Sequence, residues 1–172
     1  MNQLRTFTLT AMALLFLGVA LPSRDAVGQQ KTLKEQLVGT WTYVSVDTVR
    51  PDGSRAPTFG PNPQGLASFD SHGRYVLLVA RSGLPTFTSN NRVEGTPEEN
   101  QAVVQGSIAH FGRYTVNEAD KTLTFHIETS TFPNLNGAEQ KRPVTITGDE
   151  LKWTVPAASG GGSAEVVLKR TK

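Results

Sequence analysis

The sequence predicts an all-β fold, an eight-stranded antiparallel up-and-down barrel with a short N-terminal helix and a second helix in the 82–108 connection. Three observations carry this prediction. Eight short segments alternate apolar with polar residues or are rich in β-branched and aromatic ones, and most are joined as hairpins by Gly, Asn or Asp turns. The chain of 172 residues shows no internal repeat and no second domain, so these strands must share one core. An even number of hairpin strands lets the last pair with the first, leaving no exposed edge. An open β-sandwich is the other arrangement open to the same strands.

Residues 1–28 are set apart from the domain at 29–172. A basic start, "MNQLR", precedes the apolar run "LTAMALLFLGVAL" and then "AVGQQ", which is the layout of a secretory signal peptide. Ala26 and Gly28 are the small residues that place cleavage after Gly28, with Ala20 as the alternative. The apolar run is short for a full membrane span. The expectation is therefore an exported protein, periplasmic or secreted, with no stable membrane insertion after cleavage.

The elements follow in order. "KTLKEQLVG" has an apolar pair at Leu33 and Leu37 and a stop at Gly39, a short helix. "TWTYVSVDTV" (40–49) is the first strand, ended by the turn "RPDGS". Segments 65–70 and 73–81 form a hairpin around Ser71-His72-Gly73. "GTPEENQAVVQGS" has Thr96 as N-cap, Pro97 at the first helical position and Glu99 three residues after the cap, a capping box. That helix, over 97–107, is expected to lie across one end of the barrel as a lid. Segments 109–116 and 121–129 make a second hairpin through "NEAD", and 141–147 and 150–155 a third through Gly148-Asp149. After "ASGGGS", the segment 164–170 closes the chain.

Composition excludes several classes. With no cysteine there is no disulfide scaffold, thiol chemistry or cysteine-ligated zinc. The 17 basic and 15 acidic residues nearly balance and show no basic cluster, which argues against a nucleic-acid partner. "SGGGS" is not followed by the Lys-Ser/Thr of a phosphate loop, and no cofactor is expected.

"LVGTWTYVSVD", "HFGRYTV", "FHIETSTFPNLNGAEQKR" and "GDELKWT" occur in an order that resembles the bacterial lipocalin-like domain proteins, small calycin-type barrels, over nearly all of residues 29–172. The resemblance implies a barrel that holds a small, largely hydrophobic ligand. It also implies that Gly39 and Trp41 open the first strand at the closed end, with Trp41 beneath a cation supplied by Lys169 or Arg170.

The candidate site comes from the run Phe125–Arg142. Strand alternation puts His126 and Glu128 on one face. If Val116 pairs with Thr122, His110 and Tyr114 join that face, and a slip of one residue would undo the arrangement. Gln140 and Arg142, across the loop, share a face and would meet Glu128 and His126. Arg142 also shares parity with Val144 and Ile146, a conflict that a bulge at Pro143 would resolve. Tyr43, Tyr75, Leu77, Tyr114, Phe125 and Trp153 are the expected cavity walls, with His110, His126, Glu128, Gln140 and Arg142 as polar groups.

Three uses of this set stay open. It can be an internal network that fixes strand register. It can orient the polar end of a bound molecule. Or, in an isomerase or cyclase, His126 would move a proton with Glu128 tuning it and Arg142 stabilising an anion. His110, His126 and Glu128 would also make a two-histidine, one-carboxylate set in that register, although no metal is expected.

Overall fold

The computed structural model describes residues 31–172, so the expected signal peptide lies outside the described residues. Helix α1 (Leu33–Leu37) starts at a capping box between Thr32 and Glu35 and buries Leu33 and Leu37. Helix α2 (Pro97–Gly106) starts at the capping box of Thr96 and Glu99. Both begin where a hydroxyl can accept from an otherwise unpaired amide of the first turn.

The sheet consists of β1 (Gly39–Val49), β2 (Arg55–Pro57), β3 (Gln64–Phe69), β4 (Arg74–Ala80), β5 (Ser107–Asn117), β6 (Thr122–Ser130), β7 (Glu139–Thr147), β8 (Glu150–Val155) and β9 (Ser163–Arg170). Consecutive strands from β3 to β9 pair antiparallel, β1 pairs with β3, and β9 returns to β1. Eight strands thus close the barrel. The ninth, β2, was not expected. It is three residues long and pairs only with Asp47–Val49, beyond the stretch Gly39–Thr42 where β1 pairs with β3. So short a segment, bounded by Pro57, carries no alternation to read.

Large side chains fill one half of the interior. Leu37, Trp41, Phe69, Phe125, Leu123, Leu151 and Leu168 are fully buried. The ring of Phe69 lies 5.2 Å from Tyr114, 6.0 Å from Phe125 and 6.4 Å from Trp153, spacings at which aromatic edges and faces attract. At this closed end the Trp41 indole N–H donates to the Leu37 carbonyl at 2.8 Å. The Arg170 guanidinium sits 4.1 Å from the Trp41 ring and donates to the carbonyls of Gln36 and Val38, which close the last turn of α1. One cation therefore joins the first helix, the first strand and the last strand. Gly39 has φ +127°, and a Cβ there would meet the Arg170 Nη1 at 3.1 Å.

Two bulges decide which residues point inward. Between β1 and β9 the register shifts between Tyr43 and Ser45, so the inward set passes from Trp41 and Tyr43 to Val46 and Thr48, while Val44 turns outward. Between β5 and β6 the pairing is Val116 with Leu123, one residue from the expected Val116 with Thr122. That single step sends Leu123, Phe125 and Ile127 inward and His126 and Glu128 outward. A bulge then follows between Phe111 and Gly112, which returns Ser130 to the interior. Gly112 is required at that point, since a Cβ would lie 2.1 Å from the His126 carbonyl oxygen.

The expected bulge at Pro143 is absent. β7 alternates regularly, with Arg142 and Val144 buried and Lys141, Pro143 and Thr145 exposed, so a cation and apolar residues do share the inner face. Helix α2, expected to cover one end, stands beside the mouth of the barrel. Val103, Val104 and Gln105 flank a groove with Phe59, Ile108 and Phe132 next to the open end, and no α2 residue lines the cavity.

Candidate functional site, a cavity above a filled base

The half of the barrel that is not packed solid holds a cavity of about 90 Å³, open at the end formed by the loops after β2, β6 and β8. Val46, Phe59, Leu77, Val79, Ile108 and Val166 give it an apolar wall. Tyr43, His110, Gln140, Arg142 and Trp153 supply the polar atoms, and Leu135 and Ala158–Gly160 stand at the mouth. Apolar walls with a few placed polar groups are the composition of small-molecule sites.

Each polar group is held by a strand whose inward face is otherwise apolar. On β5, His110 is buried and its Nδ1 lies 2.8 Å from the Tyr75 hydroxyl of β4. Burial, with the Arg142 charge nearby, pushes the His110 pKa down to about 3, so the ring is neutral at physiological pH. Burial raises the phenols of Tyr43 and Tyr75 well above their ordinary value, and both stay protonated.

On β7, Arg142 is buried beside Gln140, whose Oε1 accepts from Nη2 at 2.6 Å. Its guanidinium lies 4.4 Å from the ring centre of Phe125 and 5.5 Å from that of Trp153. Burial lowers its pKa to about 10, which leaves it charged. The Arg142 Nε and the Trp153 indole N–H are buried with no hydrogen-bond partner. No carboxylate among the described residues pairs with Arg142; those at hand serve other cations on the surface.

Of the residues singled out from sequence, Tyr43, Leu77, His110, Gln140, Arg142 and Trp153 converge on the cavity. Tyr75 and Phe125 stand behind it, against His110 and Arg142. Tyr114 lies in the filled half, its hydroxyl donating to the Asp70 carbonyl at 2.6 Å. His126 and Glu128 are corrected to the outer face, 43% and 41% exposed, where His126 lies 3.4 Å from Glu139 and Glu128 bonds Arg74 at 2.6 Å. Neither the proposed set of His126, Glu128 and Arg142 nor that of His110, His126 and Glu128 is therefore assembled: in each, Arg142 or His110 is on one side of the sheet and the other two residues on the opposite side.

Sequence reasoning missed most of the apolar wall. Val46 and Thr48 face inward because of the β1 bulge, which no residue type announces. Phe59 and Leu135 lie in Pro/Asn/Gly-rich loops, where a single large apolar residue among turn formers is the one available sign.

The family model for the lipocalin-like domain matches residues 38–171, from the end of α1 through β9. The chain belongs to the lipocalin-like domain family. Among curated relatives of this lipocalin-like protein, the 4'-hydroxy-3'-methoxypropiophenone carrier protein of Aspergillus oryzae is 32% identical over 80 residues, covering 43% of this chain and 72% of the relative. Among solved structures, a lipocalin-like protein from Bacteroides uniformis aligns at 10% identity with a TM-score of 0.44, covering 78% of this chain and 98% of the other. A redesigned β-barrel aligns at 19% identity with a TM-score of 0.42, covering 81% and 95%.

Proposed function

We propose that this lipocalin-like protein is exported by cleavage of residues 1–28 and that residues 29–172 carry a small, largely apolar molecule without transforming it. The observation that supports this most is the division of the interior. Aromatic side chains seal one half, while the other is left open and lined by Val46, Phe59, Leu77, Val79, Ile108 and Val166. An apolar group that enters this cavity leaves water at about 25 cal/mol for each Å² covered. Tyr43, His110, Gln140 and Arg142 orient its polar end. The Aspergillus relative, a carrier by name, agrees with this reading.

Carriage accounts for the site better than an isomerase or cyclase does. The one imidazole at the cavity is His110, and a group with a pKa of about 3 is a weak proton acceptor at neutral pH. It serves instead as a fixed hydrogen-bonding partner of Tyr75.

Native mass spectrometry of the protein purified without detergent from the exported fraction of its source tests both parts. An N-terminus at Gln29 and a discrete added mass that is lost on unfolding are the expected results. A protein absent from the exported fraction refutes export, and one found there with residues 1–28 intact refutes the cleavage. Turnover of the extracted molecule by the purified protein would replace carriage with catalysis.

A further inference from the structure

Among the described residues, Arg142 is the only charged side chain that lines the cavity, and none of them gives it a counter-charge. Its surroundings compensate it in part, through one acceptor at Gln140 Oε1 and the faces of Phe125 and Trp153. A guanidinium has five N–H bonds arranged as a fork, and here Nε is buried without any acceptor. The neighbouring Tyr43, Tyr75 and His110 are all neutral and supply no negative charge. Nor do the salt-bridging carboxylates help, since Glu128 and Glu139 lie on the outer face. A buried cation held in this way is costly to the empty protein and becomes favourable once an anion is delivered to it.

We infer that the molecule carried is a compact monocarboxylate whose two oxygens pair with Arg142, its apolar body filling the cavity toward Phe59 and the Ala158–Gly160 loop. This rests on the carrier reading and narrows it to a chemical class. Charge sets the first limit, since one cation without a counter-ion matches one anion. Geometry sets the second, because the guanidinium fork receives a carboxylate through two parallel hydrogen bonds. Volume sets the third. A closed cavity of about 150 Å³ holds benzene, and here an open one of about 90 Å³ lies above the sealed half. A single ring or a short branched chain, partly held at the mouth, fits this space. A long acyl chain does not, because Phe69, Phe125 and Trp153 block the way down the barrel.

The test uses three ligands with one apolar body and different heads: phenylacetate, phenylacetamide and propylbenzene. Calorimetry and thermal-shift titration at neutral pH read their affinities for the wild-type protein and for Arg142→Met and Arg142→Lys. The expected result is that the wild-type protein binds phenylacetate about tenfold or more tighter than phenylacetamide, a preference that Arg142→Met abolishes, leaving the two affinities within about twofold of each other. Arg142→Lys keeps the sign of the preference at reduced size, and it provides the comparison should Arg142→Met not fold. Amide binding equal to or tighter than acid in the wild-type protein overturns the inference and leaves carriage intact, as does binding of propylbenzene alone. If none of the three binds, both carriage of compact apolar molecules and this inference fall.

Discussion

The strongest consequence for stability comes from His110, a neutral imidazole built into the wall between Tyr75 and Arg142. Its native pKa is about 3 against an ordinary value of 6.5. The sign follows from proton counting. Between these two values the unfolded chain binds a proton that the native chain does not, so stability rises with pH across that window. The contribution is fully present above the unfolded value near 6.5, declines as pH falls, and is exhausted near 3. At about pH 5 the unfolded state has gained roughly 1.5 log units of proton binding that the native state lacks. This corresponds to a loss of about 2 kcal/mol, and the full window to about 5 kcal/mol. The value at about pH 5 depends little on how low the native pKa lies, because the native ring is neutral there in any case. Charging the ring in place would set a second cation beside Arg142. In His110→Gln the amide can still meet the Tyr75 hydroxyl but has no proton to gain. Urea unfolding of wild type and His110→Gln at about pH 7.5 and about pH 5 isolates the effect, since titrations elsewhere are shared. The wild-type protein should lose about 2 kcal/mol more than the variant between the two conditions. Parallel losses would refute the placement of His110 as a buried neutral group.

Other consequences concern the frame and the surface. Gly112→Ala forces a Cβ to within 2.1 Å of the His126 carbonyl at the β5–β6 bulge, and should cost about 2–3 kcal/mol in urea unfolding. Arg170→Ala removes the cation over Trp41 together with two hydrogen bonds to α1 carbonyls; a loss of about 2–4 kcal/mol is expected, whereas Lys169→Ala, on the exposed side of the same strand, should stay within about 0.5 kcal/mol of wild type. His126→Ala and Glu128→Ala should leave ligand affinity within about twofold of wild type, since both side chains stand outside the barrel, and the Glu128–Arg74 pair is worth at most about 1 kcal/mol in thermal unfolding.

The signals that were legible in the sequence are local ones. Thr96, Pro97 and Glu99 specify the start of α2 because a capping box needs only residues within one turn. The Gly148-Asp149 and Asn117–Asp120 turns fix two hairpins because turn geometry is set by a few adjacent dihedrals. The number of hairpin strands follows from such signals, while an open sandwich stayed open to them until the β1–β9 pairing closed the barrel. Tyr43, Leu77 and Trp153 line the cavity, on the face that alternation within one strand assigns once a single residue is anchored.

Register is a different kind of quantity. The β5–β6 hairpin can close with Val116 opposite Thr122 or opposite Leu123, and the two differ by one residue in a turn that reads alike in either case. What separates them is burial on the far side of the sheet. The observed pairing puts Leu123, Phe125 and Ile127 against Phe69, Tyr75 and Trp153, and it leaves His126 and Glu128 to water and to Arg74. The other pairing would bury a carboxylate and expose three large apolar side chains, at a cost of several kcal/mol.

By itself, then, the sequence determined a set of antiparallel hairpin strands with a capped helix beside them, because those features are written in contacts between near neighbours. Only the tertiary structure decided that Arg142 and His110 share a cavity from which His126 and Glu128 are excluded. That outcome depends on bulges at Val44 and at Gly112, and on the packing of rings from six strands against one another. No stretch of residues carries it alone.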